Sequence, residues 1–160
     1  MKAIVLTHTH NDHIDGIKDF QGVRTIVNEL EWKNADLPVM YPDWLKPDTV
    51  NMTYRHSKEF DKAYPLTTNK DLVMIHTPGH TKGHCSVLLK TDEVTLIFAG
   101  DIVYGQEQLR THTFSAVNDT FKGAEQSYRK LKEFMKNNPT IFLPSHDPGG
   151  IQRLKNKETY

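Results

Sequence analysis

Apolar and polar positions divide the chain into short segments. Residues 2–7, Lys-Ala-Ile-Val-Leu-Thr, are a β-branched apolar run that stops at a polar cluster, which predicts a buried strand rather than a helix. Beyond the cluster, Ile14, Ile17 and Phe20 recur at helical spacing and predict a short helix. Arg24–Val27 reads as a second strand and Glu29–Asn34 as a helical turn or two. Leu72–His76, Cys85–Leu89 and Val94–Ala99 are further strands, with Thr91-Asp92-Glu93 as a tight hairpin between the last two. Phe121, Ala124, Tyr128, Leu131, Phe134 and Met135 share one helical face, capped by Asn118 or Asp119 and ending near Asn137-Asn138-Pro139. Thr140–Leu143 is the last strand, and the polar, basic tail from Gly149 to Tyr160 is expected on the surface. Strands alternating with helices on this rhythm indicate an α/β layered domain, one domain over residues 1–160.

Residues 36–70 break the rhythm. They hold Pro38, Pro42, Pro47 and Pro65 with Tyr41, Trp44, Tyr54 and Phe60 between them. Linkers are poorer in aromatics, so the stretch reads as an insertion or lid, with ordinary loop packing as the alternative. Tyr41 and Trp44 are candidates to line a pocket there.

Composition narrows the classes. The chain has 20 basic and 20 acidic residues and a formal net charge of zero, which argues against a general nucleic-acid binder. Hydrophobic residues are 37% of the total, enough for a packed core. The apolar run at the N-terminus is about five residues, too short for a signal-peptide core or a membrane span. A single cysteine, Cys85, excludes an intramolecular disulfide. The expectation is a soluble cytoplasmic protein that works without membrane or nucleic-acid partners.

The chemistry lies at the strand ends. His8-Thr9-His10-Asn11-Asp12-His13 puts four metal-competent side chains in six residues, directly after a buried strand. His at i and i+2 can aim at one ion, and Asp12 and His13 can turn toward a second. His80 follows the strand at 72–76, Asp101 the strand at 94–99, and His146 the strand at 140–143. Ligands gathered at several strand ends are the usual geometry of a site built on a sheet. Structural zinc favours closed, cysteine-rich sets of four, whereas this set is His and Asp with positions to spare. Imidazole and carboxylate suit zinc, and also iron or manganese.

His8-Thr9-His10-Asn11-Asp12-His13, Thr77-Pro78-Gly79-His80-Thr81-Lys82-Gly83-His84, Gly100-Asp101 and Ser145-His146 resemble the successive motifs of the metallo-β-lactamase superfamily, in order, from residue 2 to about 147. The resemblance implies an αββα-sandwich and two divalent ions, zinc with iron or manganese as alternatives. His8, His10 and His80 would hold the first ion, Asp12, His13 and His146 the second, and Asp101 would bridge them. His84 would support the site without being a ligand. Gly100-Asp101-Ile102-Val103-Tyr104 and Pro144-Ser145-His146-Asp147 are similar to the N-acyl homoserine lactonase group, whose tyrosine three residues past the bridging aspartate contacts the lactone carbonyl. The family's sandwich normally carries several strands before its first motif and this chain carries one, so the first sheet is expected to be incomplete by roughly fifty residues, with dimerisation as a way to cover it.

The implied function is hydrolysis of a small ester or lactone, such as the quorum-quenching ring opening of an N-acyl homoserine lactone. Water would be activated by the two ions, Tyr104 would donate to the developing oxyanion, and Asp12 would move the proton. A glyoxalase II-like thioesterase or other hydrolase of the superfamily is the alternative, and an inactive metal-binding form the third. His56, His76 and His112 read as surface or satisfied structural histidines, and Cys85 as a small buried hydrophobe rather than a nucleophile.

Overall fold

The computed structural model describes residues 1–35 and 41–160. Two sheets stack face to face. The first is all parallel, in the order β1 (Ile4–Val5), β2 (Thr25–Asn28), β3 (Asp48–Val50). The second runs β4 (Ala63–Pro65), β5 (Leu72–His76), β6 (Cys85–Lys90), β7 (Thr95–Gly100), β8 (Thr140–Pro144), antiparallel except for the parallel β7–β8 pair. The helices are α1 (Asn11–Ile14), continued by a 3-10 turn over Asp15–Phe20, then α2 (Glu29–Lys33), α3 (Gln106–Thr111), α4 (Phe121–Asn137) and α5 (Gly150–Asn156). None is long and apolar enough to cross a membrane among the described residues.

Strand alternation assigns the layers. Val73 and Ile75 point from β5 to the outer face of the second sheet, where they join Leu88, Ile97 and Ala99 and meet Tyr128, Leu131, Phe134 and Met135 of α4. Met74 and Cys85 point the other way, onto Ile26 and Val50 of the first sheet. Leu6 and Val27 on that sheet's far face pack with Ile14 and Trp32 of the helical layer. Helix, sheet, sheet, helix is the αββα order of the metallo-β-lactamase fold, here with a three-stranded first sheet. Phe98 on β7 is 41% exposed and opens, with Ile151 and Leu154, onto a groove of about 730 Å3.

Several boundaries differ from the sequence expectation. Of the stretch 36–70, residues 36–40 lie outside the described residues, while β3 and β4 are sheet strands within the rest. The cap of α4 is Thr120, whose hydroxyl accepts from the Gly123 N–H, rather than Asn118 or Asp119. Those two are engaged elsewhere: the Asn118 side chain donates to the Ser115 carbonyl and the Asp119 N–H to the His80 carbonyl. The tail is not simply surface. It forms α5, buries Arg153, and brings Tyr160 against the core beside Phe142.

Candidate metal centre

The chain leaves β1, passes through Thr7 and buries His8 completely. His10 stands at the N-cap of α1 without a capping side-chain bond, so its ring is available to the centre. His80 enters from the loop after β5, with its Nε2 2.8 Å from His10 Nδ1. His80 Nδ1 lies 2.9 Å from the Val117 carbonyl. That contact requires the proton on Nδ1 and leaves Nε2 as a lone pair. The rings of His8, His10 and His80 lie 4.5–4.7 Å apart, and one donor atom from each falls within 4.8 Å of the others. Burial, reinforced by the neighbouring imidazoles, holds His8 far below the ordinary histidine range, so it is neutral and able to donate a lone pair.

A second group joins Asp12 and His13 of α1 to Asp101 and His146. Asp12 Oδ2 is 3.4 Å from His13 Nε2 and 3.3 Å from His146 Nε2. The Asp101 carboxylate lies between the two groups. Its Oδ1 is 3.2 Å from His13 Nε2, and its Oδ2 is 3.1 Å from His146 Nε2, 3.7 Å from His80 Nε2 and 4.0 Å from His8 Nε2. Burial would raise the pKa of Asp101, but His13 and then His146 and His80 outweigh it and hold the group ionised. Burial likewise disfavours charge on His13, and the carboxylates of Asp101 and Asp12 more than offset it.

His84 positions Asp101. It is fully buried, its Nδ1 sits 3.0 Å from the Thr77 carbonyl, and its Nε2 accepts the Asp101 N–H at 3.0 Å. Burial lowers its pKa to about 3, which keeps Nε2 free to accept. Gly100 makes room for this contact: it adopts φ +60, and a Cβ there would stand 2.5 Å from His84 Nε2.

The donor set fits divalent ions. Among the described residues, His8 Nε2, His13 Nε2 and Asp101 Oδ1 are buried without a hydrogen-bond partner. The His13–Asp101 pair is close in distance yet not aligned as a hydrogen bond. Buried polar atoms left without partners are costly, and three of them converging on one place is the arrangement that cations satisfy. His8, His10 and His80 could hold one ion, Asp12, His13 and His146 another, with Asp101 facing both.

Tyr104 closes one side, its ring centroid 5.3 Å from that of His146 and 6.0 Å from that of His80. A cavity of about 610 Å3 opens on the other side, lined by His10, Asp12 and His80 with Asn34, Val117 and Asn118 among others. Asp147, next to His146, is a junction that the sequence reading did not assign. Its Oδ2 accepts the Gln106 N–H at 2.9 Å and Arg153 Nη2 at 2.7 Å, and its Oδ1 accepts the Gly149 N–H at 2.9 Å. The loop of His146 is thereby tied to the loop of Tyr104 and to α5. Arg153→Ala is expected to destabilise the fold by about 2–3 kcal/mol, because it leaves a partly buried carboxylate without its cation. Urea denaturation against the parent measures this, and an unchanged midpoint would contradict it.

The remaining candidates lie outside both groups. His76 contacts the Lys82 carbonyl and His112 pairs with Glu125. Cys85 is buried, its thiol donates to the Gly83 carbonyl, and burial pushes its pKa well up, which leaves it unreactive.

A stacked pair of sheets with imidazoles and carboxylates gathered at strand ends defines a class of candidate metal centres built on a two-sheet scaffold. The Metallo-beta-lactamase superfamily profile matches residues 1–146. The chain is 32% identical over 147 residues to the Beta-lactamase-like protein 2 homolog of Drosophila melanogaster, covering 90% of this chain and 44% of that protein. It is 31% identical over 147 residues to an N-acyl homoserine lactonase of a Bacillus species, covering 90% of this chain and 55% of the relative. It thus spans about half the length of the curated relatives it matches. The solved structure of an N-acyl homoserine lactone hydrolase with N-hexanoyl-L-homoserine bound superposes on all of this chain and 60% of its own, at a TM-score of 0.75 and 22% identity. The chain belongs to the metallo-beta-lactamase superfamily.

Proposed function

We propose that this chain carries the centre of a two-ion hydrolase that opens the ring of a lactone, with N-acyl homoserine lactones as the substrate class. The observation that carries the reading is the Asp101 carboxylate, which faces both groups while Tyr104 stands over them from the side of His146 and His80. The likeness to N-acyl homoserine lactonases supports the substrate class. Two divalent ions, zinc by the donor set, would lower the pKa of a water and polarise the ester carbonyl.

The chain's own residues do the rest. Asp101, pinned through its N–H by His84, keeps the two groups in register. The Tyr104 hydroxyl donates to the carbonyl oxygen as negative charge develops there. Asp12 is 58% exposed at its side chain and touches His146, so it can take a proton at the centre and hand it to solvent. The cavity beside His10 and His80 receives the acyl arm.

The test is ring opening of N-hexanoyl homoserine lactone by the zinc-loaded chain, followed by the proton released per ring opened. Turnover of a thioester in place of the lactone would move the assignment to the thioesterases. Tyr104→Phe is expected to lower kcat by about a hundredfold with the metal content unchanged. Full activity in that variant would reduce Tyr104 to a packing aromatic.

A further inference from the structure

Glu31 is a buried carboxylate on α2, and nothing in the reaction described above uses it. Its Oε1 accepts two hydrogen bonds from Thr9, the N–H at 2.9 Å and the hydroxyl at 2.9 Å. Its Oε2 accepts the Thr81 hydroxyl at 2.5 Å. Thr9 lies between His8 and His10, and Thr81 directly follows His80. One carboxylate therefore joins the two loops that supply the first group of candidate ligands.

The helix that carries Glu31 is itself clamped to the second of these loops. The Asn28 side chain caps α2 by accepting the Leu30 N–H, and its Nδ2 donates to the Gly83 carbonyl at 2.7 Å. The remaining acid of this helix, Glu29, is bound to Lys33 on the surface, as a helical ion pair normally is. A carboxylate withdrawn from water is a poor way to gain stability, since an apolar residue of similar volume often serves as well. Its three donors all belong to residues adjoining His8, His10 and His80.

From this we infer that Glu31 is a positioning residue for the first group, setting the spacing of His8 and His10 against His80 and so the affinity of the ion they hold. The inference rests on the two-ion reading of the centre and not on the lactone.

Zinc affinity measured by competition with a chromogenic chelator tests it, with the absorption spectrum of the cobalt-substituted protein as a second readout. Glu31→Gln keeps the volume and one acceptor, and Thr81→Val removes a single bond at the edge of the site. Partners of this kind typically change metal affinity about 10–100-fold. Both variants are expected to weaken one ion about tenfold, and Glu31→Ala by up to about a hundredfold, with the cobalt spectrum altered and the melting of the metal-free Thr81→Val protein unchanged. Affinities within about twofold of the parent in all three would overturn the proposal. So would a loss confined to Glu31→Ala and accompanied by lower melting of its metal-free form, which would make Glu31 a support of the fold. If Glu31→Ala does not fold, the other two variants carry the test. A parent chain that binds no ion would overturn the two-ion reading itself, a result distinguishable from any of these.

Discussion

Asp101→Asn is expected to lose the paired ions and to lower hydrolysis by at least about a hundredfold, the upper end of what removing a mere supporting partner does at such sites. The amide keeps the volume, but it removes one of the two carboxylates in the groups and turns an NH2 toward either His13 or His146 and His80. Neither face can then accept a cation as before. The backbone contact to His84 survives, because His84 accepts from the N–H and not from the side chain. The metal-free variant should accordingly fold, but less stably than the parent, because the surrounding imidazoles favour the charge that is removed and His13 loses its partner. Metal analysis, turnover and melting of the metal-free protein check the three parts. Retained binding of two ions would overturn the proposed bridging role of Asp101.

Gly83→Ala should be the most damaging small change to stability. A Cβ at this position would stand 2.1 Å from the Glu31 nitrogen and 2.3 Å from its Cα, and backbone on both sides leaves no flexible group to give way. The loop cannot simply retreat, because the Gly83 carbonyl is held by Asn28 and the Cys85 N–H by the Thr7 carbonyl. Overpacking of this kind is expected to destabilise by about 3 kcal/mol or more, which for a chain of this size lowers the melting temperature by about 6–12 °C. A thermal melt reads it directly, and an unchanged Tm would mean that α2 does not pack on this loop as described.

The part of the fold that could be read from the sequence is the part with a regular period. β5 to β8 are apolar runs bounded by turns, and α4 keeps one apolar face over 17 residues. β3 and β4 are three residues each within a proline-rich stretch, and a strand of that length shows no alternation to read. Sequence does not single out Thr120 as the cap, because Asn118 and Asp119 have the same capping chemistry, and only the docking of that turn on Gly79 and His80 decides among them. α5 is not legible in the sequence, because a basic, polar tail looks solvated until Arg153 finds Asp147.

The candidate ligands were readable because they follow strands in compact motifs. Their supports were not. Glu31 looks like any acid on a short helix, and its partners Thr9 and Thr81 are 22 and 50 residues away. The partner of His84 is a backbone N–H, which no side-chain pattern records.

The two halves of the centre differ in their access to water. His8 and His80 are buried, with His10 and His80 bordering the cavity, whereas Asp12 and His146 expose 58% and 44% of their side chains. In the proposed two-ion centre, exchange with solvent would therefore run at two speeds. An ion of the His8 group would leave the more slowly, because freeing the buried His8 needs a local opening. The outer ion would come and go with the buffer, so metal recovered with the protein would reflect two histories: the inner position more that of its synthesis, the outer that of its last dialysis.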